Sequence, residues 1–182
     1  MSPAKKLALV VAVQFLVLFS VIGFKQYTVW TSETVLLKVQ PVDTRDLLRS
    51  YHTVEYEISR LDPASIAWDE SAGRCCGMPL YVELQKQDDG LWKAIAAHDG
   101  RTHTRDGTVL IKGEAQGRYT YSEQTVSIRY GIEDIFVPEG SAGQLPTGRD
   151  HTIAVEVKVD RFGNATPRHF VVDGQQVDLR RR

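Results

Sequence analysis

Leu7–Phe24, LALVVAVQFLVLFSVIGF, is the stretch on which the reading of this chain turns. It is almost wholly apolar and follows Lys5 and Lys6. At about 1.5 Å per residue, a helix over it spans roughly 27 Å, close to the hydrocarbon thickness of a bilayer. Tyr27 and Trp30 come next, aromatic side chains suited to the headgroup zone. Gln14 is a strongly polar residue inside the run, tolerated there or able to hydrogen-bond a neighbouring helix. The stretch predicts a transmembrane anchor over residues 7–27, with 1–6 on the cytoplasmic side and 28–33 as a linker. The rival reading is a signal peptide cleaved after Gly23, with Val21-Ile22-Gly23 as a weak site. The apolar run exceeds the usual ~7–15 residues of such a peptide, and no Ala-x-Ala is present, so retention is the favoured reading. Two Lys before the span and Lys25 after it favour an N-terminus inside.

The rest of the 182-residue chain is long enough for one domain with a real core. Net charge is −1, from 22 basic and 23 acidic side chains. That balance excludes nucleic acid as a main partner, since phosphate binding needs a basic surplus. Residues 177–182 form a basic tail ending in Arg180-Arg181-Arg182, read as solvated before it is read as a headgroup-binding patch.

Residues 34–176 read as one β-rich unit. Thr34–Gln40 sets Val35, Leu37 and Val39 on one side, and Pro41 ends it. Asp43 is placed to cap a short turn, with Asp46 at its third position. Thr53–Ser59 alternates, with Val54, Tyr56 and Ile58 opposite Glu55 and Glu57. Pro63–Gly77 reads as a loop with a helical turn around Ala64–Trp68. Pro79–Lys86 sets Leu80, Val82 and Leu84 against Tyr81, Glu83 and Gln85. The turn Gln87-Asp88-Asp89-Gly90 returns it through Leu91–Ala97 as a hairpin. Further strands are expected at Thr108–Gln116, Thr125–Tyr130, Ile135–Val137, Thr152–Asp160 and Thr166–Val172. Regular short strands without a long soluble amphipathic helix argue an all-β fold, an antiparallel barrel or sandwich behind an N-terminal transmembrane helix.

Thr34–Asp62, TVLLKVQPVDTRDLLRSYHTVEYEISRLD, resembles the opening of the GDYXXLXY proteins, a family of membrane-anchored bacterial proteins named for a Gly-Asp-Tyr-x-x-Leu-x-Tyr motif. Anchored on its last tyrosine, the motif falls on Arg49–Tyr56: Tyr51 and Tyr56 match, Val54 stands for Leu, and Arg49-Ser50 replace Gly-Asp. Gly-Asp before a strand is turn chemistry, so Arg49-Ser50 must make that turn another way. A second block, YGIEDIFVPEG, carries Tyr130, Gly131, Ile132, Glu133, Phe136, Val137, Pro138, Glu139 and Gly140. Val155–Asp160, Gly163 and Asp173-Gly174 continue the likeness. The resemblance implies a location at the bacterial inner membrane, with the bulk of the chain extracytoplasmic. It implies no particular chemistry.

Chemistry-bearing residues are sparse. Cys75-Cys76 are the only cysteines. As candidate redox residues they compete with two free thiols, a strained vicinal disulfide, or links to another chain; adjacent Cα atoms about 3.8 Å apart are too close for an easy bridge. His98 and His103 flank Asp99 and Asp106 in one loop, without a standard zinc spacing. His52, His151 and His169 read as surface or strand residues, and Asp88-Asp89 as turn chemistry. Glu55 and Glu57 share a strand face, where a wet sheet surface is the default over paired acid–base work. A signal-peptidase-like hydrolase would use a Ser/Lys pair, for which Ser32, Lys86 and Lys112 are the candidates, without the flanking signatures. No catalytic set, metal or cofactor is expected. The reading is an accessory protein that docks an integral membrane or periplasmic partner beside the lipid bilayer. A small-ligand or metal-binding domain is second and hydrolysis last.

Overall fold

The computed structural model describes residues 3–40, 51–69, 77–116, 125–136 and 151–177. The chain divides into two compact units, Met1–Ser32 and Glu33–Arg182.

The first unit is one helix, α1, Pro3–Trp30. Pro3 stands at the first helical position, where a missing N–H is no loss. The helix is apolar all round, with a mean hydropathy of 2.7 over its best window, and its large apolar side chains are exposed. A helix of that kind has no core-facing stripe; it is long and apolar enough to cross a membrane. Its C-terminal carbonyls are satisfied by hydroxyls: Thr28 Oγ1 donates to Phe24 O (2.8 Å), Thr31 Oγ1 to Tyr27 O (3.0 Å) and Ser32 Oγ to Thr28 O (2.7 Å).

Among the described residues of the second unit the regular structure is strand apart from one 3-10 turn, and the strands curl into a half-barrel. Its strands are β1 Glu33–Gln40, β2 Tyr51–Thr53, β3 Glu55–Tyr56, β4 Arg60–Leu61, β5 Ala67–Trp68, β6 Pro79–Lys86 and β7 Trp92–His98. They continue as β8 Thr108–Gln116, β9 Val126–Arg129, β10 Asp134–Phe136, β11 Ile153–Val159, β12 Ala165–Val172 and β13 Gln175–Val177. One sheet runs β13-β12-β11-β1-β3, a second β4-β9-β8-β6-β7-β5, and β10 pairs with β2 in a small third. Among the described residues the pairings are antiparallel except that of β5 with β7.

Period-two patterning decides which face is dry. Val35, Leu37 and Val39 from β1, and Val155, Val157 and Val159 from β11, point inward. Leu80, Val82 and Leu84 from β6, with Val109 and Ile111 from β8, meet them in one core. Each such side chain, fully buried, contributes about 1.5–3 kcal/mol. The β6–β7 hairpin closes on Gly90 at φ +83°, with Asp89 Oδ1 accepting from Leu91 N–H at 2.9 Å. Pro167 is tolerated in β12 because the ladder bulges between Glu156 and Val157, and β13 pairs only with Phe170–Val172.

Three local expectations change. Thr53–Ser59 is not one strand; it breaks into β2 and β3 and then a single 3-10 turn, Glu57–Ser59. Ala64–Trp68 forms no helical turn; a bend closed by Ser65 N–H to Asp62 O (3.0 Å) leads into β5. Glu83, expected on a wet face, is 2 % exposed. The Asp43 turn lies outside the described residues.

Gly113 in β8 leaves no room for a side chain. A Cβ there would lie 2.6 Å from Ile128 Cγ2 and 3.0 Å from Tyr130 Cδ1. Gly113→Ala is expected to destabilise the β unit by about 1–3 kcal/mol, read as a lowered denaturation midpoint.

Candidate functional site

Residues 54–61 cross from one sheet to the other. β3 pairs with β1 at Tyr56–Val39, the 3-10 turn reverses the chain, and β4 pairs with β9 at Arg60–Ser127. Tyr56 N–H donates to Ser59 Oγ (3.3 Å) across the turn. Facing it, the chain leaves β9, turns at Gly131 (φ +76°) and joins β2 as β10, so Phe136 stands opposite Tyr51. The Glu133 carboxylate holds this second turn, accepting from the N–H of Tyr130 and, at 2.9 Å, from that of Gly131.

Two tyrosines lock the crossings together. The Tyr56 hydroxyl donates to Ile132 O (2.9 Å), and the Tyr130 hydroxyl donates to Ile58 O (2.8 Å). Val54 N–H adds a bond to Glu133 O (2.8 Å). Each segment therefore carries one phenol and supplies the carbonyl that the other's phenol binds. Burial, and after it the charge of Glu133, pushes both phenols well above their ordinary value, so both remain protonated donors.

Beside this tie lies an open groove of about 410 Å³, floored by Val54 and Ile128. Its rim is charged: Arg60 Nε meets Glu55 Oε1 at 2.7 Å, and Arg129 reaches Glu133 (3.9 Å) and Asp134 (3.6 Å). The Arg60 and Arg129 side chains are about 60 % exposed (63 % and 59 %), so both guanidiniums can still meet an acidic or carbonyl-rich surface.

The family model described as GDYXXLXY protein matches residues 14–170. The chain belongs to the GDYXXLXY family. No curated protein and no solved structure matches it. Six of the residues singled out for the family likeness, Val54, Tyr56, Tyr130, Gly131, Ile132 and Glu133, converge at the tie. Tyr51 and Phe136 are register partners in the β2–β10 pair. Val137, Pro138, Glu139, Gly140, Cys75 and Cys76 lie outside the described residues, as does the Arg180–Arg182 tail.

A second polar cluster, invisible in the alternation, surrounds Glu83. Its Oε1 accepts from Thr108 Oγ1 at 2.8 Å, and Arg105 N–H stands 3.5 Å away. His98 Nε2 is buried 3.5 Å from Oε2, an ion-pair contact longer than a hydrogen bond. Thr108 Oγ1 also lies 2.9 Å from Arg105 O, but it has one proton to donate. The loop after β7 thus folds back over the face that carries Glu83, Ala96 and Leu110. Burial raises the Glu83 carboxyl; Thr108, the Arg105 N–H and His98 outweigh it and hold the group below its usual value. The signal that could have found it is a carboxylate set between Val82 and Leu84 in a strand with neighbours on both sides.

The other sequence candidates are dispersed. Ser32 Oγ is bound at the end of α1. His151 Nδ1 sits 2.6 Å from Asp173 Oδ2 at the β12–β13 turn, where Thr152 N–H reaches Oδ1 at 2.9 Å; these bonds hold the exposed Asp173 carboxyl low. Among the described residues, no three His, Cys, Asp or Glu side chains gather as a metal set.

Tyr56→Phe and Tyr130→Phe each strand a buried carbonyl, at an expected cost of about 1–3 kcal/mol. Because both phenols tie the same two segments, the double variant should lose less than the sum of the singles, which a double-mutant cycle in denaturant measures. The folded Glu83 carboxyl titrates below the unfolded value of 4.5, so its stabilisation is complete above that pH and is lost as pH falls through the folded value. Glu83→Gln should lower the melting temperature at neutral pH and flatten its decline in acid, as melting curves across the acid range will read.

Proposed function

We propose that this GDYXXLXY protein is an anchored accessory module of the bacterial inner membrane, with its β unit outside the cytoplasm. The β unit docks an integral membrane or periplasmic partner on the groove beside the tyrosine tie. The observation that carries this reading is the meeting of the two residue blocks at the tie, from which Val54 and Glu133 reach the lining of the groove beside the exposed guanidiniums of Arg60 and Arg129. Residues buried in the tie make the rim rigid, and a rigid charged rim gives register and specificity to a docked chain. The apolar all-round helix supports the anchored part of the proposal, and Lys5 and Lys6 ahead of it support an outward β unit.

The test uses the full-length chain. Protease added to intact spheroplasts should remove the β unit, and gentle lysis should leave the protein in the membrane fraction. In mild detergent, one and the same partner should co-purify with the wild type and be lost with Arg60→Glu or Arg129→Glu, while the melting temperature holds within about 1 °C. Recovery unchanged by both reversals would remove the groove from the proposal. A β unit protected in spheroplasts would reverse its orientation.

A further inference from the structure

The strand register identifies one end of the five-stranded sheet with the point where the chain leaves the helical unit. Glu33, the first residue of β1, stands opposite Val159, the last of β11. The turn that follows Val159, Asp160-Arg161-Phe162-Gly163-Asn164, is therefore at the end of the sheet that is covalently nearest to α1. The opposite end carries the Asp173-Gly174 turn, since Ile153 stands opposite Val172.

That near turn is built. Asp160 Oδ1 accepts from Phe162 N–H (2.8 Å) and Asn164 N–H (2.9 Å), and Oδ2 accepts from Asn164 Nδ2 (2.9 Å). Gly163 sits at φ +87°, and its carbonyl accepts from Lys112 N–H of β8 at 2.8 Å, which fixes the turn to the second sheet. The turn presents Phe162, the sole large apolar side chain of the β unit besides Met78 that is exposed among the described residues. Two guanidiniums stack on its ring, Arg161 at 4.9 Å and Arg101, from the loop after β7, at 5.7 Å. Arg101 Nη2 also donates to Arg161 O at 2.7 Å, so the two loops form one surface. Asp99 and Asp106 share the Arg101 loop, with His103 and Arg105 between them; Asp160 is turned toward its own N–H donors.

We propose that this turn and the Arg101 loop rest on the bilayer surface. Phe162 enters the headgroup–acyl boundary, and Arg101 and Arg161 bind lipid phosphates. The occupant is the phospholipid surface in which α1 is embedded, so the inference rests on the anchored reading above. Its logic is that of one apolar wedge plus flanking cations at a lipid interface, a pair too weak alone and sufficient once a helix supplies the attachment. Guanidinium matches phosphate oxygens in pairs, and stacking on Phe162 sets its direction in advance. The contact would hold the β unit in one orientation against the membrane.

The test is site-specific photo-crosslinking of the full-length protein in phosphatidylcholine vesicles with about a third phosphatidylglycerol. The probe p-benzoylphenylalanine replaces Phe15, Phe162 or Gln175 in turn. Position 15 reports the anchor; position 175, the first residue of β13 after the far turn, is the control. Lipid adducts are expected at 15 and 162 and only at background level at 175. Arg101→Gln and Arg161→Gln, each with unchanged melting temperature, should each lower the adduct yield at 162 about fivefold. Adducts at 15 with position 162 no higher than 175 overturn the surface contact and leave the anchor intact. A yield at 162 that ignores both arginine changes also overturns it. Adducts at neither 15 nor 162 remove the anchor and the contact with it.

Discussion

Two phenol hydroxyls aimed at two backbone carbonyls hold the seam between the main sheets. A chain that passes from one sheet to another leaves its ladder, and the peptide groups in the crossing lose their partners. Here the crossings at 54–61 and 129–136 lie side by side, and each supplies what the other lacks: a phenol for a stranded carbonyl. Both tyrosines are buried, so water cannot serve instead. The pairing of β2 with β10, the turn held by Glu133, and the attachment of β4 to β9 all depend on these segments staying in register. Tyr56 and Tyr130, far apart along the chain, stand in two halves of one junction.

The second seam is made by backbone alone. β8 pairs with β9 only from Glu114 onward, which leaves Lys112 N–H without a strand on the edge away from β6. Gly163 O fills that place, and a side chain at 163 would meet the β8 backbone at 3.1 Å. Glycine is needed there twice over, for its positive φ and for its lack of a Cβ. One junction is thus specified by aromatic residues and the other by the absence of a side chain. The two lie close together, for Tyr130 and Gly131 of one and Lys112 and Asn164 of the other line a single pocket.

Glu83 belongs to a different layer of the structure. It stands on the outer face of β6, yet the loop after β7 covers it and replaces water with Thr108 and the Arg105 N–H. A carboxylate in such a place is stable only while its donors hold their positions, so the loop and the sheet order each other. The same loop carries Arg101, whose guanidinium joins the stacked Arg101–Phe162–Arg161 surface.

The sequence by itself determined the two-part plan, because both signals are local: an uninterrupted apolar run of bilayer length, and period-two alternation in β1, β6 and β11. It also determined the family, and the inward set Val35, Leu37, Val39, Val155, Val157 and Val159. Only the tertiary structure decided which strands neighbour which, because the chain never states the partner of β1 or that β3 and β4 belong to different sheets. Only the fold could bring Tyr56 to Ile132 or turn Glu83 from a wet-face residue into a buried one. Alternation reports which way a side chain leaves its strand; whether water waits there depends on what the rest of the chain lays over it.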